Sequence, residues 1–268
     1  MRVVLGIDAA WTLKQPSGVA LALEHGGRWR LVATAPSYDH FLALADGDPP
    51  PGRPAGSAPN ARALLTAAAT IAGGQVNIVA IDMPLSISPI TCRRVSDNAV
   101  SRAYGARHCS THTPSVTRPG RISDDLREGF EAAGFPLQTA NANQPGLLEV
   151  YPHPALVELA GASRRLPYKA GKVRNYWPAE SRSGRRALLL EQWDTITGLL
   201  ATQFDDVADC LPQLPVSPTG SDLKAHEDML DAIVCAWVGA VALAGECDAF
   251  GDHASAIWIP KASGGPWL

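Results

Sequence analysis

The chain has 268 residues, of which 46% are hydrophobic and 18% charged, so its composition excludes an intrinsically disordered protein. Its longest uncharged apolar run covers 14 residues, 232–245, against the roughly 20 that a membrane-spanning helix requires, and the N-terminus lacks the layout of a signal peptide, so we expect a cytoplasmic protein without a membrane partner. A net charge of −3 does not indicate a general polyanion binder. Five scattered cysteines do not indicate a disulfide framework.

The first part of the chain predicts an α/β fold that begins with strands. Turn residues separate three short segments rich in β-branched and aromatic residues, which favours an antiparallel meander of strands at 3–9, 18–24 and 29–35. A short helix at 38–45 leads into a Pro- and Gly-rich segment at 46–59, which predicts a mobile loop. The apolar segments that follow predict a helix at 60–72 and a strand at 76–82.

The rest of the chain alternates long polar connections with apolar elements. The pattern predicts strands at 146–151 and 256–260 and helices at 96–105, 123–134, 184–200 and 222–244. We expect Ser123 to be the N-cap of the second of these helices, and Ser221 or Asp222 to be the N-cap of the last. This order predicts a single α/β domain over residues 1–268, with insertions at about 84–145 and 155–220.

Charge is distributed unevenly along the chain. Between residues 93 and 127 seven arginines stand against three acids, and between 164 and 186 eight basic residues stand against one acid. Between 189 and 252 twelve acids stand against a single lysine, Lys224. A basic surface beside an acidic cluster is expected where metal ions are held next to phosphates, whereas solvated helix faces would carry the same charges without a binding role.

Carboxylates occur at the ends or inside of apolar elements, where an unpaired charge is costly. Asp8 and Asp82 end two apolar strands, Glu149 lies within a third, and the helical pair Asp228 and Asp231 projects from one face. Each acid alone has a structural explanation, such as a turn or an ion pair with an arginine, but together they favour a shared cation. Because oxygen ligands select hard cations, we predict Mg²⁺ or Mn²⁺ bound by the four aspartates, which with Glu149 are the predicted catalytic residues.

Four short segments together carry a family resemblance: Gly6-Ile7-Asp8, Ile81-Asp82-Met83-Pro84-Leu85, Glu149-Val150-Tyr151-Pro152-His153-Pro154 and Asp228-x-x-Asp231-Ala232. In this combination, over about residues 1–260, the chain resembles DUF429, a family of predicted ribonuclease-H-like nucleases. The resemblance implies an α/β fold of the ribonuclease-H-like kind, with helices flanking a mixed five-stranded sheet whose first three strands are antiparallel. It also implies two-metal hydrolysis of phosphodiester bonds in nucleic acid.

One departure from ribonuclease H proper directs the comparison to another branch. Ribonuclease H carries a glutamate on the helix after the third strand, whereas residues 60–74 contain no acid. The chain instead resembles the Holliday-junction-resolvase branch, whose acids come from the first strand, the fourth strand and a D-x-x-D-A helix. This resemblance implies two ions about 3.5–4 Å apart, with Asp8 bridging both, Asp82 holding one, and Asp231 beside Asp228 holding the other. RNA, DNA and branched DNA stay open as substrates, and so does a homodimer.

Basic and aromatic side chains near these acids are candidates for substrate contacts, with solvated surface as the alternative. The predicted substrate-binding residues are Arg93, Arg94, Arg102, Arg107, His153, Lys169, Lys172 and Lys224. We expect His153 either to act near the scissile group or to cap a helix. We expect Trp11 either to stack against a base or to pack within the fold. Glu149 joins the metal site or anchors the inserted segment through an arginine.

Two alternative functions stay open. The segments Gly6-Ile7-Asp8 and Gly18-Val19-Ala20 also resemble the first phosphate-binding hairpin of actin-like and sugar-kinase-like ATP phosphotransferases, although we find no second D-x-G phosphate loop and no Gly-Gly adenosine turn in the final third of the sequence. The second alternative is a nucleic-acid-binding protein that kept the ribonuclease-H-like fold and lost catalysis.

Overall fold

The computed structural model describes residues 1–48 and 52–262, so Pro49, Pro50 and Pro51 of the predicted loop lie outside the described residues. Within the described part the strands are β1 (Arg2–Asp8), β2 (Gly18–His25), β3 (Arg28–Ala35), β4 (Ile78–Asp82), β5 (Gly146–Val150), β6 (Cys247–Gly251) and β7 (Ala256–Pro260). The α-helices are α1 (Tyr38–Asp46), α2 (Ala61–Ala72), α3 (Val95–Tyr104), α4 (Arg121–Ala132), α5 (Pro152–Leu159), α6 (Val173–Tyr176), α7 (Arg182–Ala201), α8 (Val207–Cys210) and α9 (Gly220–Leu243).

The strands form one mixed sheet in the order β3-β2-β1-β4-β5-β7-β6. The predicted antiparallel arrangement of the first three strands is confirmed, since β1 pairs antiparallel with β2 and β2 with β3. From β1 the sheet continues through parallel pairs to β4, β5 and β7, and β6 returns antiparallel at the edge. Parallel strands have their carboxyl ends at the same edge of the sheet, so the ends of β1 and β4 are neighbours.

The prediction of five strands is wrong, because the sheet has seven strands within residues 1–48 and 52–262. The two additional strands, β7 and β6, extend the sheet beyond β5. Residues 256–260 were predicted as a strand, but β6 was not predicted at all. Its sequence, Cys247 to Gly251, contains Asp248 and no β-branched residue, so it has little intrinsic strand preference and forms through its ladder with β7.

Alternating residues of the central strands face two hydrophobic layers. On one face Val4, Ala20 and Ile78 pack with α9 and α7, in a cluster that includes the buried Trp193 and Trp237. On the other face the intervening residues of the same strands pack with α1, α2 and α4. This alternation follows from the period of two along a strand, and burial on both faces explains why β1 and β4 read as continuous apolar runs in the sequence.

Helix α9 lies directly against β1 because the strand carries a glycine at the crossing point. A Cβ added at Gly6 would lie 2.2 Å from the carbonyl oxygen of Ala232 and 2.5 Å from the amide nitrogen of Ala236. Both distances are far inside van der Waals contact, so only glycine permits this approach. The close packing sets the height of α9 over the carboxyl end of β1, and therefore the position of the acids that α9 carries.

We expect Gly6→Ala to lower the free energy of unfolding by about 3 kcal/mol or more, because the added methyl group must push α9 away from the sheet. The matched control is Gly198→Ala on α7, where an added Cβ meets nothing within 4 Å and alanine favours the helix by about 1 kcal/mol. Urea denaturation of both variants measures the difference. Equal stability of the two variants would contradict the close approach of α9 to β1.

Four of the predicted helices, α3, α4, α7 and α9, begin one or two residues before the predicted positions, whereas α1 begins at the predicted residue and α2 one residue later. Gly120, not Ser123, is the N-cap of α4, and Thr219 is the N-cap of α9 in place of Ser221 or Asp222. The Thr219 hydroxyl accepts a hydrogen bond from the Asp222 amide at 3.3 Å, and the Asp222 carboxylate accepts one from the Thr219 amide at 2.7 Å. This reciprocal pair satisfies two amides at once, which explains why the helix begins there.

Two long connections depart from the sheet. The first runs from β4 to β5 and carries α3 and α4, and the second runs from α5 to α9 and carries α6, α7 and α8. These are the segments predicted as insertions. No helix in the described part of the chain is long and apolar enough to cross a membrane.

Candidate active site

Three elements bring the four predicted aspartates to one edge of the sheet. Asp8 and Asp82 are the last residues of β1 and β4 and are direct Cα partners in the parallel ladder. On the other side of Asp8, its partner in β2 is Gly18, against which the backbone of Asp228 packs. A Cβ at Gly18 would lie 2.1 Å from the Asp228 carbonyl oxygen, so this glycine lets the first turns of α9 approach the strand ends. Asp231 is one turn further along α9.

The aspartates are close enough to disfavour one another's ionisation. Burial raises the pKa of Asp8 well above its ordinary value, and the charges of Asp228 and Asp231 raise it further. Burial, followed by the charge of Asp231, raises the pKa of Asp82 to about 7. Burial also raises the pKa of Asp228, although Lys224 opposes the shift. The cluster thus holds negative charge that a bound cation would stabilise.

Two lysines face this cluster. Lys224, on α9, forms an ion pair with Asp228, and its Nζ lies 3.3 Å from Glu227 Oε1. Lys169, from the second connection, forms an ion pair with Asp231, and its Nζ lies 3.5 Å from the same Glu227 oxygen. Burial disfavours the charged form of Lys169, but the carboxylate of Asp231 outweighs this and raises the pKa of the lysine. Part of the negative charge is therefore neutralised within the chain.

Asp231 has both carboxylate oxygens engaged. Oδ1 accepts a hydrogen bond from the hydroxyl of Tyr168 at 2.6 Å, and Oδ2 accepts from Lys169. Asp231 is fully buried, whereas Asp8 and Asp82 reach the surface of a cleft. Asp231 is therefore held as a fixed negative charge behind the two strand-end aspartates.

The donor chemistry of the cluster suits a hard divalent cation, since all its ligands are carboxylate oxygens. As the side chains stand, no group of three or more His, Cys, Asp or Glu side chains among the described residues is arranged to hold a metal ion. Asp231 and Asp228 are each paired with a lysine. Asp8 and Asp82 would hold the cation first, and Asp228 would join them when Lys224 turns away.

Glu149 lies in a different network, on β5. Its carboxylate accepts hydrogen bonds from Nη1 and Nη2 of Arg94 at 2.5 and 2.8 Å and from the Leu85 amide at 2.7 Å. Arg94 also pairs with Asp97 at 2.8 Å and donates to the Leu85 carbonyl oxygen at 2.7 Å. Burial opposes the charge of Arg94, but the carboxylates of Glu149 and Asp97 outweigh it and raise its pKa. The network anchors the first connection to β5.

Two of the other three arginines predicted to bind substrate also make structural contacts. Arg93 joins α3 to a neighbouring loop, donating to Asn98 at 2.7 Å and to Thr113 at 3.0 Å. Arg107 pairs with Glu158 at 2.5 Å. Arg102 is exposed and lines neither of the clefts at the site. The structure thus does not bring these three side chains to the aspartates.

Two adjoining clefts meet at the aspartate cluster. The first cleft, of about 350 Å³, contains Asp8, Asp82 and Asp228, with Arg118 and Thr113 on its wall. The second cleft, of about 370 Å³, extends over β5 and α5, and the residues common to both clefts are Trp11, Asp82, His112 and Lys224. The second cleft is lined by five residues that were predicted to bind substrate: Arg94, His153, Lys169, Lys172 and Lys224. His153 lies inside α5, whose N-cap is Tyr151, so it does not cap that helix.

A comparison with family models decides the family. The model described as "Protein of unknown function (DUF429)" matches residues 6–256, which is most of the chain. The chain belongs to DUF429. The family resemblance predicted from the four segments is thereby confirmed, and all four aspartates lie within the matched residues. Membership of DUF429 names no activity, and comparisons with curated proteins and with solved structures give no match.

The candidate site also includes two residues that were not predicted from the sequence. Glu227 is buried and accepts hydrogen bonds from the Ala170 amide at 2.5 Å and from Lys224. Its spacing of four residues from Asp231 places both on one helix face, a signal that could have identified it. Tyr168 lies in an irregular segment and has no comparable signal in the sequence. Both residues position Asp231 and the lysines.

The raised pKa of Asp82 predicts a pH-dependent stability of the metal-free DUF429 protein. Because its pKa is 3.8 ordinarily and about 7 in the folded protein, Asp82 contributes stability below pH 4 that is lost as the pH rises through 7. We therefore expect Asp82→Asn, in EDTA, to raise Tm by about 3 °C or more at pH 8 and to change it little at pH 4.5.

Thermal unfolding followed by circular dichroism at both pH values measures this difference. The control is Asp125→Asn, which removes an exposed carboxylate paired with Arg121 and should shift Tm by the same small amount at each pH. An Asp82→Asn variant whose Tm is below that of the wild type at pH 8 would show that Asp82 is not destabilised by its neighbours.

Proposed function

We propose that this protein is a ribonuclease-H-like hydrolase that cleaves phosphodiester bonds of nucleic acid with Mg²⁺ or Mn²⁺. The observation that carries the proposal is the convergence of Asp8, Asp82, Asp228 and Asp231 at the carboxyl ends of β1 and β4, beside a cleft that contains Arg118. The strand order β3-β2-β1-β4-β5, with the first three strands antiparallel, supports the ribonuclease-H-like part of the proposal.

Each side of the site has a distinct part in the proposed reaction. Asp8 and Asp82 would provide the oxygens that hold a divalent cation, with the carboxylate of Asp231 behind them. When bound, the cation would supply a polarised water and offset the charge of the scissile phosphate. Lys224 lines both clefts, so its ammonium group can leave Asp228 and pair with a phosphate of the substrate instead. Arg118, whose guanidinium carbon lies 5.6 Å from the ring centroid of Trp11, places a cation beside an aromatic surface suited to a base.

A cleavage assay on a panel of substrates tests the proposal. The full chain is incubated with Mn²⁺ or Mg²⁺ and single-stranded RNA, single-stranded DNA, an RNA–DNA hybrid, duplex DNA and a four-way junction. We expect cleavage of at least one substrate that stops when EDTA is added. Absence of cleavage across the panel, in a preparation that binds Mn²⁺, would overturn the proposal.

A second candidate is a nucleic-acid-binding protein of the same fold without catalysis. The pairing of Lys224 with Asp228 and of Lys169 with Asp231 favours it, because internal cations replace part of the charge that metal ions would supply. The cleavage panel separates the candidates, since the binding protein binds nucleic acid, whether its acids serve metal or structure, and cleaves none of the substrates. The kinase alternative predicts stabilisation by Mg-ATP and none by nucleic acid, which a thermal-shift assay measures.

A further inference from the structure

The second cleft contains basic side chains whose charge the chain does not neutralise. Arg165 and Lys172 line the cleft, and neither forms an ion pair with the described residues. By contrast, the other three cations of this cleft, Arg94, Lys169 and Lys224, each pair with a carboxylate. Nε of Arg165 is buried without a hydrogen-bond partner in the described part of the chain. An uncompensated guanidinium beside a cleft indicates an anionic ligand.

Within the part of the chain that the structure describes, a buried histidine adds a nitrogen without a hydrogen-bond partner to the lining of the second cleft. His153 is 6% exposed, and its Nδ1 is buried without a hydrogen-bond partner among the residues described. Its ring lies edge-on to Tyr151, with centroids 5.4 Å apart, and 5.2 Å from the ring of Tyr168. Burial and the charges of Lys169 and Arg165 lower its pKa, so the imidazole is neutral at pH 7. The wall therefore combines aromatic surface with polar groups that lack partners.

Buried residues also line the second cleft. The buried pair of Arg94 and Glu149 lies there together with Ile257, which is 1% exposed. Asp82 marks the side where this cleft joins the aspartate cluster. A strand that lies along the first cleft therefore reaches the second cleft at Asp82 and can end there.

The positive charges of the second cleft indicate whether the strand end that it binds carries a phosphate. A phosphomonoester carries a charge of about −1.5 to −2 at pH 7 and offers three acceptor oxygens, whereas a phosphodiester within a strand carries one negative charge. Two uncompensated cations, Arg165 and Lys172, match the monoester. We propose that the second cleft binds the phosphorylated end of a nucleic-acid strand, with the terminal phosphate at Arg165 and Lys172 and the terminal nucleoside against Tyr151. This inference rests on the proposed nucleic-acid substrate and adds that the enzyme recognises an end.

Binding measured in EDTA tests the inference separately from cleavage. Fluorescence anisotropy compares one labelled oligonucleotide with a 5′-phosphate, with a 3′-phosphate, or with hydroxyl groups at both ends. We expect one of the two phosphorylated forms to bind the full chain at least about 10-fold more tightly than the hydroxyl form. Inorganic phosphate and a nucleoside monophosphate should compete with that form, the nucleotide more strongly.

Two variants locate the preference. Arg165→Met and Lys172→Met should each remove most of the preference for the phosphorylated end and leave binding of the hydroxyl form within about 3-fold. Lys172 is exposed, so its replacement leaves the fold intact even if Arg165→Met does not. The control is Arg62→Met, on the exposed face of α2, which should keep the full preference.

The outcomes distinguish this inference from the proposed function. Equal binding of the phosphorylated and hydroxyl forms, or a preference that survives both variants, overturns the end-binding cleft, even if the protein cleaves nucleic acid with Mn²⁺. A phosphate preference that both variants abolish supports the cleft even in a protein that cleaves nothing.

Discussion

Replacement of Asp8 by Asn is expected to lower Mn²⁺-dependent cleavage by on the order of 10³-fold or more. Asp8 lies between the end of β4 and the acids of α9, and its pKa is raised by burial and by both helical aspartates. An amide keeps the size of the side chain but supplies a neutral oxygen, so the cation loses its central anionic ligand.

The controls for Asp8→Asn separate catalysis from folding and binding. Asp125→Asn removes an exposed carboxylate distant from both clefts and should leave cleavage unchanged. In EDTA, Asp8→Asn should bind the substrate at least as tightly as the wild type, because a negative charge near the phosphates is removed. Initial rates and anisotropy measure the two effects. Cleavage that persists at the wild-type rate in Asp8→Asn would identify a contaminating nuclease and remove the assignment.

The largest effect on stability is expected for Arg94→Met. Its guanidinium is the only described cation that contacts the buried carboxylates of Glu149 and Asp97, which are 3% and 1% exposed. Without the arginine, both carboxylates remain buried and uncompensated, which costs about 3–5 kcal/mol in the free energy of unfolding. The same substitution releases the Leu85 carbonyl oxygen and loosens the start of the first connection.

Chemical denaturation of three variants checks this expectation. Arg121→Met breaks an exposed pair with Asp125 and should change stability by less than about 1 kcal/mol. The double variant Arg94→Met/Glu149→Gln should be more stable than Arg94→Met alone, because one of the stranded charges is neutralised. If Arg94→Met and Arg121→Met lose the same small amount, the network does not anchor the connection.

The central strands and the family could be predicted from the sequence because their signals are local. Apolar runs ending in Asp8 and Asp82 mark β1 and β4, and turn residues separate β1, β2 and β3. The edge strand β6 could not be predicted, because its pairing with β7 rather than its own composition makes it a strand. Helix starts were displaced for a similar reason, since reciprocal hydrogen bonds at Thr219 decide where α9 begins.

At the site, the sequence located the acids but not their partners. An acid at the end of an apolar strand is conspicuous, whereas the lysine that neutralises it can come from anywhere in the chain. Lys169 is 62 residues from Asp231, and Tyr168 beside it belongs to an irregular segment with no periodic pattern. For the same reason the choice between a metal role and an anchoring role for Glu149 depended on Arg94, 55 residues away.

Anomalous diffraction from crystals soaked in Mn²⁺ measures most directly whether the strand-end aspartates hold a divalent cation. We expect an anomalous peak within coordination distance of carboxylate oxygens of both Asp8 and Asp82, with the Nζ of Lys224 displaced from Asp228. Crystals that show no peak there, with Lys169 and Lys224 still paired to Asp231 and Asp228 at saturating Mn²⁺, would contradict this expectation.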